Sequence, residues 1–240
     1  MAEQKHTKDA LIKIPEKSIL KPWGRERTFC TVNLDGLYIE LKYLLARGNL
    51  SIQYHPTLDD NGKWEAWYIL NDKTAAVADC TLRRVNLKKG TLVPIPPNTL
   101  HALCSRSFVW EVGVSLTSCP QTARVYDWGY GRHTEPAPDT VKPATFQELP
   151  RSALRNESSL QLTEWRLYDG SLSLVVIRGT GLLDLPAPRG LLRINRGTCT
   201  FYTDSLTKKI STKATYYFKQ KERARLILEN TEAFMVFKKF

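Results

Sequence analysis

Gly90-Thr-Leu-Val-Pro-Ile-Pro-Pro-Asn-Thr-Leu-His101 decides the fold class of this chain of 240 residues. Gly90 opens a turn into a short strand, and Pro96 limits a hairpin-like bend. Asn98 suits a left-handed backbone position, a task often given to glycine. His101 then emerges on the following strand, facing the inside of whatever the sheet encloses.

Two earlier segments supply partners. In Leu50-Ser-Ile-Gln-Tyr-His-Pro56, Gln53 and His55 are two apart, so on one strand they share a face. Glu65 follows in Gly62-Lys-Trp-Glu-Ala-Trp-Tyr-Ile-Leu70. Two imidazoles, a carboxylate and an amide oxygen make an open site for a divalent metal, with zinc the first choice.

The remaining pattern is one of short strands rich in β-branched and aromatic residues and punctuated by Gly, Asn and Pro. Leu37–Leu45, Phe108–Val114, Ser171–Ile177, Leu191–Asn195, Ala214–Phe218 and Ala233–Lys238 are examples. Such spacing predicts a sandwich or barrel. Lys8–Ile14 and Thr145–Leu154 are the two places where a short helix is expected. Pro136, Pro138 and Pro143 interrupt the pattern, which sets an expected boundary near residue 140. Both sides carry similar strands, so domains 1–140 and 141–240 are expected. The second holds no histidine.

Composition narrows the function classes. The chain is 42% hydrophobic and 25% charged, and no apolar run approaches the roughly 20 residues that span a bilayer. The polar start, Met1–Ala10, has no apolar stretch of a secretory signal, which places the expected site of action in the cytoplasm. Five scattered cysteines without a CxxC pair point to reduced, buried thiols rather than a disulfide framework, and Asn156-Glu-Ser is read as carrying no sugar. The net charge of +11 comes from dispersed basic residues, a pattern that suits an anionic small molecule better than nucleic acid.

Lys21-Pro-Trp-Gly24, the two segments around Gln53 and Glu65, Val93–Ala102 and Ala123-Arg-Val-Tyr-Asp-Trp-Gly129 occur in that order. Together they resemble the type I mannose-6-phosphate isomerases of the cupin superfamily, in the short bacterial form, over about residues 20–130. The resemblance implies an all-β fold of two cupin-type (jelly-roll) barrels, the second without metal ligands. It implies one Zn2+ per chain on Gln53, His55, Glu65 and His101, with Gln53 where many cupins place a histidine. It puts Lys63 on a substrate-site lysine and Arg124 on an arginine that contacts substrate or aids proton transfer. The implied reaction interconverts mannose 6-phosphate and fructose 6-phosphate through an enediol. The alternative is a metal-binding cupin that binds a sugar or sugar phosphate without isomerising it. Two departures favour that alternative: Pro120 stands where the family carries an acidic residue, and the segment between His55-Pro56 and Gly62-Lys63 is short.

Elementary chemistry agrees with the isomerase reading. A metal polarises carbonyl and hydroxyl oxygens, and a nearby group must move a proton between adjacent carbons. Lys63 beside a metal-bound Glu65 is expected to have a lowered pKa. Arg124 offers a fixed fork of donors for an enediolate or phosphate, or else an ion pair to Asp127 or Glu111.

Overall fold

The structure, a computed structural model, describes residues 10–78, 83–127, 132–133, 137–157, 159–185, 189–219 and 223–238. His6, Cys80, Trp128, Gly129 and Ser158 lie outside the described residues. Among those described, every regular element is a strand, which bears out the all-β class. Among the described residues, no helix is long and apolar enough to cross a membrane.

Neither expected helix forms among the described residues, and Lys8 and Asp9 lie outside them. Ala10–Ile14 is a strand paired antiparallel with Ala214–Lys219. Leu11 is buried while Ile12 is 51% exposed, the alternation of a strand rather than a helical stripe. Across 145–152 the chain is irregular, and only Ala153–Glu157 becomes regular, as a strand. Pro150 can offer no backbone N–H to a helix there.

The chain forms two compact units. Arg151–Phe240 and the N-terminal strand build one, around a single sheet with the order Ala10–Ile14, Ala214–Lys219, Arg189–Tyr202, Arg225–Lys238, Leu172–Asp184, Ser159–Leu167, Ala153–Glu157. Leu162, Val175, Ile177, Leu192, Phe201, Phe218, Met235 and Phe237 are among its packed core residues. At Gly197 (φ 85°) the register shifts, and a Cβ would meet Asn230 O at 2.4 Å, so only glycine fits.

Glu16–Pro150 forms the other unit. Its largest sheet runs Lys17–Lys21, Gly24–Leu34, Leu37–Ala46, Phe108–Ser115, Trp64–Ile69, Leu92–Ile95. Register places side chains of one face in three rows. Leu44, Val109 and Ile69 form the first, and they belong to the unit's apolar core. Lys42, Glu111, Trp67 and Val93 form the second. Glu40, Gly113, Glu65 and Ile95 form the third. Polarity therefore rises along the strands, from a packed core at one end to a charged floor at the other.

Shorter strands complete this unit. Ile52–Tyr54 pairs with Ala123–Asp127, which pairs with Arg132–His133. Ala102–Leu103 pairs with Ala75–Val77, and Thr99–Leu100 runs parallel to Lys142–Pro143. Lys21-Pro-Trp-Gly24 is the turn between the first two strands. A Cβ on Gly24 would sit 2.2 Å from Leu45 O, and Trp23 O accepts the N–H groups of Arg47 and Gly48. Cys104 and Cys199 are buried free thiols, as expected; Cys119 instead is exposed.

Candidate active site

The sequence places the ligands on three separate segments, and backbone hydrogen bonds bring them together. Gln53 N–H donates to His101 O at 3.1 Å and His101 N–H to Gln53 O at 2.9 Å, an isolated antiparallel bridge. Asn98 adopts the expected left-handed conformation, with φ of 55°, and its N–H donates to His55 O at 2.7 Å. The turn before Gly62 closes by Gly62 N–H to Thr57 O at 2.7 Å, which returns the chain to Lys63 and Glu65 within few residues.

His55, Glu65 and His101 are each at most 2% exposed, and their potential ligand atoms lie within 4.8 Å of one another. His55 Nε2 is 3.0 Å from Glu65 Oε1, and His101 Nε2 is 3.6 Å from Glu65 Oε2. The outer nitrogens are already engaged: His55 Nδ1 lies 3.1 Å from Gln121 O and 3.1 Å from Thr122 Oγ1, and His101 Nδ1 lies 2.9 Å from Thr99 O. Contact with a carbonyl sets Nδ1 as the protonated nitrogen and turns the Nε2 lone pair inward. His55 Nε2, His101 Nε2 and Glu65 Oε2 are buried without a hydrogen-bond partner. Buried polar atoms are rarely left so. Three convergent orphaned atoms of this chemistry fit a divalent cation. The donor set is mixed N and O with no thiolate, as the sequence predicts.

All six expected site residues line one cavity of about 720 Å³: Gln53, His55, Lys63, Glu65, His101 and Arg124. That volume is ample for a small polar ligand. Gln53 is half-buried beside the triad, and exposed Arg124 lies opposite it across the strand pair. Trp67 and Trp23 also line the wall. Trp67 packs edge-on to His101 and stacks on Phe146, with Trp64 half-buried at the strand's start.

Burial pushes the Lys63 ammonium down, but Glu111, Glu65 and Glu40 outweigh it and hold its pKa well above the ordinary lysine value. Its Nζ is 2.9 Å from Glu111 Oε1 and 3.3 Å from Glu40 Oε2, and it also contacts Glu65 Oε1. This is the direction without a metal's charge, whereas the expected lowering belongs to a metal-bound Glu65; strand register brings the Glu111 and Glu40 carboxylates to the ammonium. Glu65 goes the other way: burial pushes its carboxyl up, but Lys63 and then the two histidines hold it well below the usual range. Burial takes His101 down to about 4. Burial, reinforced by the Glu65 charge, raises Glu111 to about 7.

Several contributors were not singled out from the sequence as site residues. Glu40, Lys42 and Glu111 extend the charge array: Lys42 Nζ lies 2.9 Å from Glu40 Oε2, 3.9 Å from Glu111 Oε1 and 3.8 Å from Glu26 Oε1. Glu26 in turn lies 3.9 Å from Lys21. Alternating charges thus run from Lys21 to the histidine pair. The available signal was the alternation in Leu37-Tyr-Ile-Glu-Leu-Lys, which puts Glu40 and Lys42 on one face.

This fold and this buried triad define an all-β protein of the cupin class with a candidate metal centre. By sequence it is similar to two proteins named as mannose-6-phosphate isomerases, and by fold to solved structures of that name. No family model matches the chain. Two Bacillus subtilis (strain 168) proteins, GmuF and YvyI, carry provisional names as mannose-6-phosphate isomerases. GmuF is 32% identical over an alignment of 117 residues, covering 37% of this chain and 36% of that protein. YvyI is 29% identical over 144 residues, covering 47% and 44%. The match thus spans less than half the length of either relative. Among solved structures, the mannose 6-phosphate isomerase of Bacillus subtilis superposes with a TM-score of 0.73 at 15% identity, covering 94% of this chain and 98% of that one. An oxalate decarboxylase from the same organism gives 0.63 at 10% identity, covering 98% and 78%.

Proposed function

We propose that the protein is a zinc-dependent aldose–ketose isomerase that interconverts mannose 6-phosphate and fructose 6-phosphate through an enediol in the cytoplasm. The observation that carries this reading is the convergence of three orphaned ligand atoms in a cavity that Lys63 and Arg124 also line. The names of the sequence relatives supply the substrate.

His55, Glu65 and His101, with the amide oxygen of Gln53, would hold one Zn2+. When bound, the metal supplies Lewis acidity to the sugar's carbonyl and adjacent hydroxyl oxygens. The chain's own residues do the rest. Lys63, kept protonated by its carboxylates, donates to the carbonyl oxygen and recovers a proton from the neighbouring hydroxyl. Glu111, poised near neutrality, is suited to carry the carbon-bound proton between C2 and C1. Arg124 at the cavity rim presents its donor fork to the anionic group. The unit Glu16–Pro150 is the catalytic domain, and the other is a metal-free cupin-like domain, each a cupin-type barrel.

Measuring bound metal and coupled turnover of mannose 6-phosphate, for the protein as isolated and for His101→Ala, tests this reading. Stoichiometric zinc with turnover, both lost in the variant, is expected. Metal without turnover would favour the second reading, a sugar-phosphate-binding cupin. Pro120, adjacent to the Gln121–Thr122 segment that touches His55, and the short segment between His55-Pro56 and Gly62-Lys63 are the features favouring it.

A further inference from the structure

Gly113 occupies the middle of the third row, between Glu40 and Glu65. It lies inside a strand, where glycine weakens pairing and packs nothing. Its backbone does not demand glycine, since no positive φ is found there, unlike Gly24 or Gly197. What the position does require is space. A Cβ on Gly113 would lie 2.9 Å from Lys63 Cδ, 3.4 Å from Nζ and 3.5 Å from Cε. The lysine stem thus lies across the bare backbone of Gly113.

That path has a consequence for the ammonium. Lys63 precedes Glu65 by two residues, so on one extended segment both point to the same face. Running over Gly113 carries Nζ across to the next strands, within 2.9 Å of Glu111 and 3.3 Å of Glu40. Glu111 flanks the glycine on its own strand, and Glu40 faces it on the adjacent one.

We propose that Gly113 is a positioning residue: its missing side chain is the slot that seats Lys63, fixing the ammonium between Glu111, Glu40 and Glu65. The functional consequence rests on the isomerase reading above; the seating itself does not. The slot makes a strand weakness into a requirement of the site. Any side chain at 113 would meet the lysine stem and unseat it.

Gly113→Ala tests the seating. Thermal unfolding should still show one cooperative transition, at a lower temperature, since unseating the ammonium leaves buried carboxylates without their shared cation. Labelling with an amine-reactive ester, read by peptide mass spectrometry, should rise several-fold at Lys63 and nowhere else in the unit. If the parent isomerises mannose 6-phosphate, kcat should fall at least about tenfold with KM nearly unchanged, as small misplacements of a reacting group do. In a Lys63→Met background the same glycine change should cost no further activity. Unchanged Lys63 labelling would overturn the seating proposal, as would additive effects in the double variant. Raised labelling in a protein whose parent has no turnover would leave the seating intact and remove only the isomerase reading.

Discussion

His55 Nε2 and Glu65 Oε1 stand 3.0 Å apart, yet the imidazole nitrogen has no hydrogen-bond partner while its Nδ1 is held by Gln121 O and Thr122 Oγ1. The ring is oriented from outside for something at its centre. Thr122→Val removes one of the two orienting contacts and leaves every ligand in place. Metal affinity, measured by competition with a chromophoric chelator, should drop about 10-fold, the lower end for loss of an outer-shell partner. An unchanged affinity would show that the Gln121 carbonyl alone sets the ring.

Glu111 gives a pH signature. Burial raises its carboxyl from an ordinary 4.5 to about 7 in the folded protein. Between those values the folded chain keeps a proton that the unfolded chain has released. Stability therefore falls through this contribution as pH rises from about 4.5 to about 7, and levels off above. Urea unfolding of metal-free protein and of Glu111→Gln across this range should show the parent losing stability relative to the variant. Parallel curves would contradict the assignment.

Gly62 closes the loop that joins His55 to Lys63 and Glu65. A Cβ there would lie 1.6 Å from Pro56 O and 2.5 Å from Thr57 O, both backbone atoms that cannot step aside. Gly62→Ala should reopen the loop and displace Glu65. We expect loss of bound metal and a clearly lower melting temperature, whereas Gly36→Ala, with open space around its Cβ position but φ of 89°, should cost only about 1 kcal/mol of stability and retain the metal. Equal behaviour of the two variants would refute the closure argument.

Arg124 is exposed at the cavity rim, opposite Gln53. If it grips the anionic part of a sugar phosphate, Arg124→Ala should raise KM about tenfold or more and leave metal content untouched. Arg124→Lys should recover only part of that, since a point charge cannot replace the two-pronged fork. Steady-state kinetics paired with metal analysis distinguishes this from damage to the metal centre.

Trp67 links core and site, stacking on Phe146 and meeting His101 edge-on. Trp67→Ala should destabilise the unit by about 3–5 kcal/mol through the cavity it leaves. Chemical denaturation measures this directly, and a loss below about 1 kcal/mol would mean that the surrounding strands collapse into the gap.

Much of the site could be read from residue order. Spacing around Gln53, His55, Glu65 and His101 marked residues that line one cavity, because strand periodicity fixes which side chains share a face. Asn98 could be assigned its left-handed backbone because few other residue types tolerate it. What lay beyond reach was lateral. Glu40 and Glu111 are 23 and 48 residues from Lys63 in sequence, and only strand register brings them to its ammonium. That register holds the Lys63 pKa high in the metal-free chain. The helix expected at the N-terminus failed for a related reason: the partner of Ala10–Ile14 is a strand more than 200 residues away, and no local pattern announces such a pairing.

The bridge between Gln53 and His101 is made by main-chain atoms alone. Residue identity at position 53 can therefore change without releasing the strand that carries His101. An exchange to histidine would swap an amide oxygen for a third imidazole and shift the preference toward metals that favour nitrogen. The scaffold thus leaves position 53 open to evolutionary drift or to design, while the backbone keeps His101 in register beside it.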